Sequence, residues 1–286
     1  MPELPEVEAL ASYLTSQLEG RVIDAVEVVA FSALKTFQPP AESLVGRTVV
    51  GVSRHGKFLD FDCSGLRVVV HLSRGGWIRW VEAPSATRAR PGRGPLALRL
   101  RVSGGQAVDF TEAGTKKRLA VYVVTDPAEV PGVARLGIDP LDPGFTVAAL
   151  TALVSASNGQ IKGLLTDQSV LAGVGNAYSD EALHRARLSP FKTASRLSPD
   201  EIERLHQGLT SSLGEALERA RGLAGAELKD DKRAGLQVHG RTGLPCPVCG
   251  DTVREVAFAE KSLQYCPTCQ TGGKPLADRR LSRLLK

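Results

Sequence analysis

The first twenty residues place apolar side chains at the spacing of an α-helix. These apolar positions are Val7, Leu10, Ala11, Leu14 and Leu18. Pro5 suits the first turn of a helix, and Gly20 suits its end. The pattern predicts one amphipathic helix that packs against a sheet and holds the start of the chain in place.

Beyond Arg21 the pattern changes to short apolar runs separated by turns rich in glycine and serine, as far as about Thr125. Eight such runs read as strands, at 22–29, 48–53, 58–62, 68–72, 77–81, 96–102, 107–111 and 119–124. Short strands at this spacing are typical of a β-sandwich or a flattened barrel. We therefore predict a β domain behind the N-terminal helix.

A proline-punctuated linker follows, and the pattern then becomes helical. Helices are predicted at 147–157, 168–171, 177–187 and 199–220, a polar loop at 223–235, and a short cysteine-rich β region from Leu236. The fold class is therefore α+β. The predicted domains are 1–130, 131–228 and 236–270.

Charge and apolar content narrow the classes of function. The chain has 36 Lys and Arg against 31 Asp and Glu, a net charge of +5, which suits a polyanionic partner. A basic protein without a nucleic-acid role is the alternative. No apolar run reaches the roughly 18 residues of a membrane span, and the N-terminus has no signal-peptide pattern. We expect a cytoplasmic protein with no membrane association.

Four of the five cysteines form two CxxC pairs separated by 16 residues, Cys246 with Cys249 and Cys266 with Cys269. This spacing is typical of a tetrahedral four-cysteine zinc site without an open coordination position. We predict one structural Zn²⁺, and two disulfides are the alternative. Cys63 stands apart and is not expected to take part.

The start of the chain also carries candidate chemistry. Removal of Met1 would expose the secondary amine of Pro2, with Glu3 beside it and Glu6 one helical turn further on. An amine of this kind can attack an aldehyde-like carbon and form a Schiff base, and a carboxylate beside it can move protons. The alternative is a common Met-Pro start whose glutamates favour a helix N-terminus.

A second candidate segment lies at 167–183, where two apolar stretches flank a turn. Gly173 and Gly175 allow close approach of another backbone, and Asn176 would begin the following helix, where N–H groups attract phosphate. The alternative is an ordinary turn between helices with Asn176 as a local N-cap.

Four motifs in this order resemble the formamidopyrimidine-DNA glycosylase and endonuclease VIII (Fpg/Nei) family of bacterial base-excision repair. They are PELPEVE at 2–8, GKFL at 56–59, the turn at 171–183 and the cysteine ribbon ending at Gln270. The resemblance implies an N-terminal β-sandwich with one long helix, then a helix-two-turn-helix domain with a zinc finger. It also implies double-stranded damaged DNA as the partner, bound by a monomer at the bacterial nucleoid.

The resemblance further implies a bifunctional DNA glycosylase and abasic-site lyase that acts on oxidised or ring-opened bases. Pro2 would attack C1′ of the damaged nucleotide, Glu3 would donate and accept protons, and Glu6 would support the site. Lys57 would contact phosphate and assist β-elimination, and Asn176 would bind phosphate beside the extruded nucleotide. A damage-binding protein with little catalysis is the alternative.

Four departures from the family pattern bear on specificity. Arg74 stands where the family commonly has methionine, and we hypothesise that its guanidinium fills the gap left by the extruded base. The loop at 112–119 stands where the family has a second loop that inserts into the DNA with an aromatic residue. That aromatic residue is missing here, but the loop carries a basic run that can contact the opposite strand, at Lys116, Lys117 and Arg118.

Between the two CxxC pairs, Lys261 stands where the family usually has an arginine. Lysine keeps the positive charge for a phosphate but lacks the bidentate guanidinium, so both β-elimination and β,δ-elimination are possible outcomes of the reaction. The short loop at 223–235 argues against 8-oxoguanine as the best substrate.

Overall fold

The computed structural model describes residues 1–87, 94–258 and 262–277. The chain forms two compact units, one of residues 1–135 with 220–229 and one of residues 136–219 with 230–286. Within the described residues, no helix combines the length and the apolar character needed to cross a membrane.

The first unit is a β-sandwich with one long helix, as the sequence predicts. Helix α1 spans Leu4–Leu18, and the strands are β1 Ile23–Val28, β2 Gly51–His55, β3 Phe58–Asp62, β4 Arg67–His71, β5 Gly76–Val81, β6 Leu96–Val102, β7 Gln106–Glu112 and β8 Ala120–Val124. They form two antiparallel sheets with the orders β1-β6-β7-β5 and β2-β3-β4-β8. Phe61 and Phe110 meet between the sheets with ring centroids 5.6 Å apart.

Helix α1 is fixed to the second sheet by its apolar stripe and by one side chain. Val7, Leu10 and Leu14 are fully buried in the core of the sandwich. Thr15 Oγ1 donates to the carbonyl of Val52 at 3.0 Å and accepts from the Val52 N–H at 2.8 Å. Because β2 offers both main-chain groups to one hydroxyl, the helix has a defined position along the strand.

The second unit is mostly helical and also contains a pair of short strands. The elements are α2 Val147–Ser155, α3 Ile161–Thr166, α4 Asn176–Arg185, α5 Pro199–Ala220, α6 Leu228–Gly235, β9 Arg254–Ala257, β10 Ser262–Tyr265 and α7 Pro267–Thr271. The first two residues of α6 are counted with the first unit. Strands β9 and β10 pair antiparallel.

Two predicted segments differ from the structure. In place of the helix predicted at 168–171, residues 168–170 form a turn and Leu171 forms a β-bridge with Ile138. The Asp167 carboxylate accepts from the N–H of Ser169 at 2.9 Å and favours the turn. The prediction of a polar loop over 223–235 is wrong from Leu228 onward. Helix α6 forms there with acidic residues in its first turn and basic residues in its last, which complements the helix dipole.

Candidate active site and metal centre

The N-terminal turn holds two carboxyl groups beside Pro2. Met1 is half exposed at 49%, whereas Pro2 is buried and Glu3 and Glu6 are 3% and 4% exposed. Glu3 is the N-cap of α1, and its N–H donates to Glu6 Oε2 at 2.8 Å. The Glu3 carboxylate accepts in return from the Glu6 N–H, so this capping box fixes both side chains at the start of the helix.

Lys57 lies in the tight turn between β2 and β3, and this turn is tied to α1. Gly56 has a φ of +54°, which the turn requires. Arg54 donates to Glu8 Oε2 at 2.7 Å and to the carbonyl of Gly56 at 3.1 Å. Lys57 is only 6% exposed, so it is not an ordinary solvated hairpin lysine.

Strand register brings the turn at 56–57 to the same sheet edge as two other loops. Phe58 pairs with His71, and His71 pairs with Ala120. The turn at 72–75 and the loop at 113–119 adjoin these strand ends. The predicted contact loops of the first unit therefore share one edge.

His71 lies on the central one of these three strands, and its side chain is uncharged at neutral pH. Burial, with a smaller contribution from the charge of Lys57, lowers the pKa of His71 to about 4. Its ring packs on Phe58 with centroids 4.7 Å apart.

Arg74 is exposed at the tip of a turn that has no space for larger residues behind it. A Cβ at Gly75 would lie 2.3 Å from the carbonyl oxygen of Ala113, and one at Gly76 would lie 2.1 Å from that of Leu72. The Ala113 N–H also donates to the Gly75 carbonyl at 2.9 Å. The Arg74 turn and the next loop are thus joined through their main chains.

The predicted basic run is exposed at Lys116, Lys117 and Arg118. Its backbone is organised by Glu112, which is 3% exposed. The Glu112 carboxylate accepts from the N–H of Arg118 at 2.5 Å and from that of Leu119 at 2.9 Å. We did not predict this role, although an acidic residue at a strand end before a basic loop was an available signal.

In the second unit, Asn176 begins α4 as predicted, but Gly175 is the N-cap, so the alternative of Asn176 as N-cap is wrong. Asn176 Nδ2 donates to the carbonyl of Ser262 at 2.6 Å, which fastens the helix start to β10. Lys261, the residue before Ser262, lies outside the described residues.

Helix α4 also carries two buried acids that sequence reasoning missed. Asp180 accepts from Lys162 Nζ at 2.6 Å and contacts His239 Nδ1 at 2.8 Å. The Glu181 carboxylate accepts three consecutive main-chain N–H groups, those of Gln237, Val238 and His239, each at 2.9 Å. Burial raises the pKa of Glu181, and these N–H bonds oppose the rise.

The four predicted metal ligands lie together. Cys246 Sγ is 3.9 Å from Cys269 Sγ, and Cys249 Sγ is 3.3 Å from Cys266 Sγ. A tetrahedral zinc site with Zn–S bonds of about 2.3 Å requires sulfur separations of about 3.8 Å. All four cysteines are free, which is against the disulfide alternative. The donor set fits a closed four-thiolate zinc site held by these residues.

Cys63 lies in the first unit, where burial raises its pKa to about 12. A buried thiol that keeps its proton in this way is chemically inert.

Three family models match the chain in order. They are the formamidopyrimidine-DNA glycosylase N-terminal domain at 1–118, the formamidopyrimidine-DNA glycosylase H2TH domain at 136–226, and a zinc finger found in FPG and IleRS at 243–272.

Individual proteins show the same similarity. An uncharacterized formamidopyrimidine-DNA glycosylase-like protein of Mycobacterium tuberculosis is 58% identical over 159 residues, covering 56% of this chain and 99% of the relative. Formamidopyrimidine-DNA glycosylase of Pelotomaculum thermopropionicum is 35% identical over 280 residues, covering 94% and 99%. The crystal structure of Lactococcus lactis Fpg bound to DNA containing an AP site superposes with a TM-score of 0.80 at 26% identity, covering 94% and 99%. The chain belongs to the formamidopyrimidine-DNA glycosylase family.

Proposed function

We propose that this protein is a bifunctional DNA glycosylase and abasic-site lyase of base-excision repair, acting on oxidised or ring-opened bases. The observation that carries the proposal is the buried N-terminal turn, where Pro2, Glu3 and Glu6 are held together and the Lys57 turn is tied to the same helix. Glu and Lys side chains are almost never buried to this degree unless they are paired, so the burial of Glu3, Glu6 and Lys57 is unusual.

The chemistry begins with removal of Met1, which leaves the imino nitrogen of Pro2 as the chain end. This nitrogen attacks C1′ of the damaged nucleotide, the bond from C1′ to the base breaks, and the proton that the nitrogen loses passes to the departing base. Glu3, in its protonated form, then gives its proton to the sugar ring oxygen as the bond from C1′ to that oxygen breaks, which leaves an iminium ion between Pro2 and C1′. Glu6 orients Glu3 through its bond to the Glu3 N–H.

Strand cleavage follows from the electron-withdrawing iminium. A carboxylate accepts a proton from C2′, the 3′-phosphate departs, and water hydrolyses the iminium to release the amine. Lys57 contacts the phosphate and favours its departure. Whether a second elimination follows depends on Lys261.

DNA binding is assigned to the exposed basic residues at the common sheet edge and to the start of α4. Arg74 fills the gap left by the extruded base, and the run Lys116, Lys117 and Arg118 contacts the opposite strand. Asn176 uses one amide hydrogen on Ser262, and its amide has a second hydrogen to donate to phosphate. A zinc ion held by the four cysteines would stabilise the fold of the segment around them.

Borohydride trapping on DNA with an abasic site tests the proposal. The full-length protein should give a covalent adduct, Pro2→Gly should give none, and the matched control Pro5→Ala should retain it, because only Pro2 supplies the nucleophile. Mass spectrometry of the purified protein should show Met1 removed. Tight binding to abasic DNA without any adduct would instead support the damage-binding alternative.

A further inference from the structure

His184 is a further possible donor beside the four cysteines. It lies in the last turn of α4 and is 2% exposed. Its Nε2 is 3.3 Å from Cys246 Sγ. One ring nitrogen and the sulfurs of Cys246, Cys266 and Cys269 all lie within 4.8 Å of one another. The cluster therefore offers five donor groups to an ion that takes four.

The surroundings of the ring decide which nitrogen carries the proton. Nδ1 makes no hydrogen bond of normal geometry among the described residues, and the side chain of Gln237 is a polar neighbour of the ring. Nε2 faces a sulfur that is an anion once a metal is bound, and a lone pair pointed at an anion is repelled by it. A proton on Nε2 turns the same contact into a charge-assisted hydrogen bond, which is the arrangement with the lower energy.

The ring also borders a route from solvent to the metal ligands. A cavity of about 390 Å³ is lined by His184, Gln237 and Cys269, among others. A small chelator inside this cavity would meet the imidazole and Cys269, which is itself a predicted metal ligand.

We propose that His184 is a positioning residue of the metal centre, whose Nε2–H donates to the zinc-bound thiolate of Cys246 and retards loss of the ion. The bond withdraws negative charge from a sulfur that shares its ion with three other thiolates. It also joins the last turn of α4 to the zinc finger by a contact that depends on the metal. Loss of such outer contacts commonly weakens metal binding by roughly tenfold to a hundredfold.

Zinc release from the full-length, zinc-loaded protein to a coloured chelator tests the proposal. His184→Phe keeps a ring of similar size without the donor and should release zinc roughly ten times faster or more. His184→Gln retains an N–H donor and should stay close to wild type. His206→Gln is the matched control, since His206 lies on α5 and bonds to the carbonyl of Phe145. Equal rates for wild type and His184→Phe would overturn the proposal.

A spectroscopic measurement on the wild-type protein does not depend on whether a variant folds. After exchange of zinc for ¹¹³Cd, the Nε2 proton of His184 should show a scalar coupling to the metal through the Cys246 sulfur. A one-bond coupling from the metal to Nε2 would make His184 a ligand and contradict the proposal. Absence of both couplings would contradict it as well.

Discussion

Glu181 offers a direct test of how the zinc finger is attached to α4. Its two carboxylate oxygens accept the main-chain N–H groups of three successive residues, 237–239, and the side chain is 4% exposed. Glu181→Gln keeps the shape of the side chain but replaces one acceptor oxygen with an NH₂ group. We expect this substitution to lower the free energy of unfolding of the second unit.

The magnitude follows from the geometry of the three bonds. Oε1 accepts from Val238 and His239, and Oε2 accepts from Gln237. If the amide oxygen takes the Oε1 position, the NH₂ group points at the Gln237 N–H, and that partly buried donor loses its partner. The lost bond costs about 1–3 kcal/mol, and the other two bonds lose their charge assistance, so a total of about 2–4 kcal/mol is expected.

Thermal unfolding with zinc release as the probe, together with hydrogen exchange at residues 237–239, measures the effect on the second unit. Glu215→Gln is the matched control, because Glu215 pairs with Arg185 at 51% side-chain exposure and such pairs contribute at most about 1 kcal/mol. Unchanged exchange at 237–239 and unfolding within about 0.5 kcal/mol of wild type would refute the assigned role of Glu181.

Three further substitutions test the first unit. His71 has an unfolded pKa of 6.5 and a folded pKa of about 4, so its contribution to stability is present above pH 6.5 and is lost as the pH falls towards 4. In urea unfolding at a series of pH values, His71→Gln should remove up to about 3 kcal/mol of the stability lost over this range, and an unchanged pH dependence would contradict the assignment. Glu112→Gln should loosen the loop at 113–119 and weaken DNA binding severalfold with less effect on borohydride trapping, whereas an unchanged dissociation constant would exclude a positioning role. Arg74→Ala should weaken binding of lesion DNA more than of undamaged duplex in fluorescence anisotropy, and equal losses would refute void filling.

Sequence periodicity predicts the first unit well because its elements have clear apolar patterns. The stripe of α1 and the short runs of the sandwich bury those positions in one core. Helix α6 could not be predicted in the same way, since only Leu228 of its residues is buried and its ends are marked by charge. The short helix α3 was missed as well, because six residues give too little of a helical period.

The predicted site residues can be found from local sequence motifs, whereas the residues that position them depend on contacts between distant parts of the chain. Pro2, the Lys57 turn and the CxxC pairs stand in local motifs, which a sequence displays directly. Glu181 and His184 act on partners 56 to 62 residues away along the chain, and no local pattern encodes such a contact. The structure supplies these long-range contacts, and the chemical roles of the site residues stay predictions for the trapping experiment.

The close packing at Gly75 and Gly76 limits how this edge of the sandwich can diversify. A side chain at either position would collide with a neighbouring carbonyl, and the hydrogen bond from Ala113 to Gly75 ties one loop to the next. Arg74 is exposed, so a different side chain at this position would not meet the carbonyl groups that crowd Gly75 and Gly76. The residue at 74 can therefore be exchanged while the two loops keep their shape, and under the proposed function this is a position where lesion selectivity can change without remodelling the backbone.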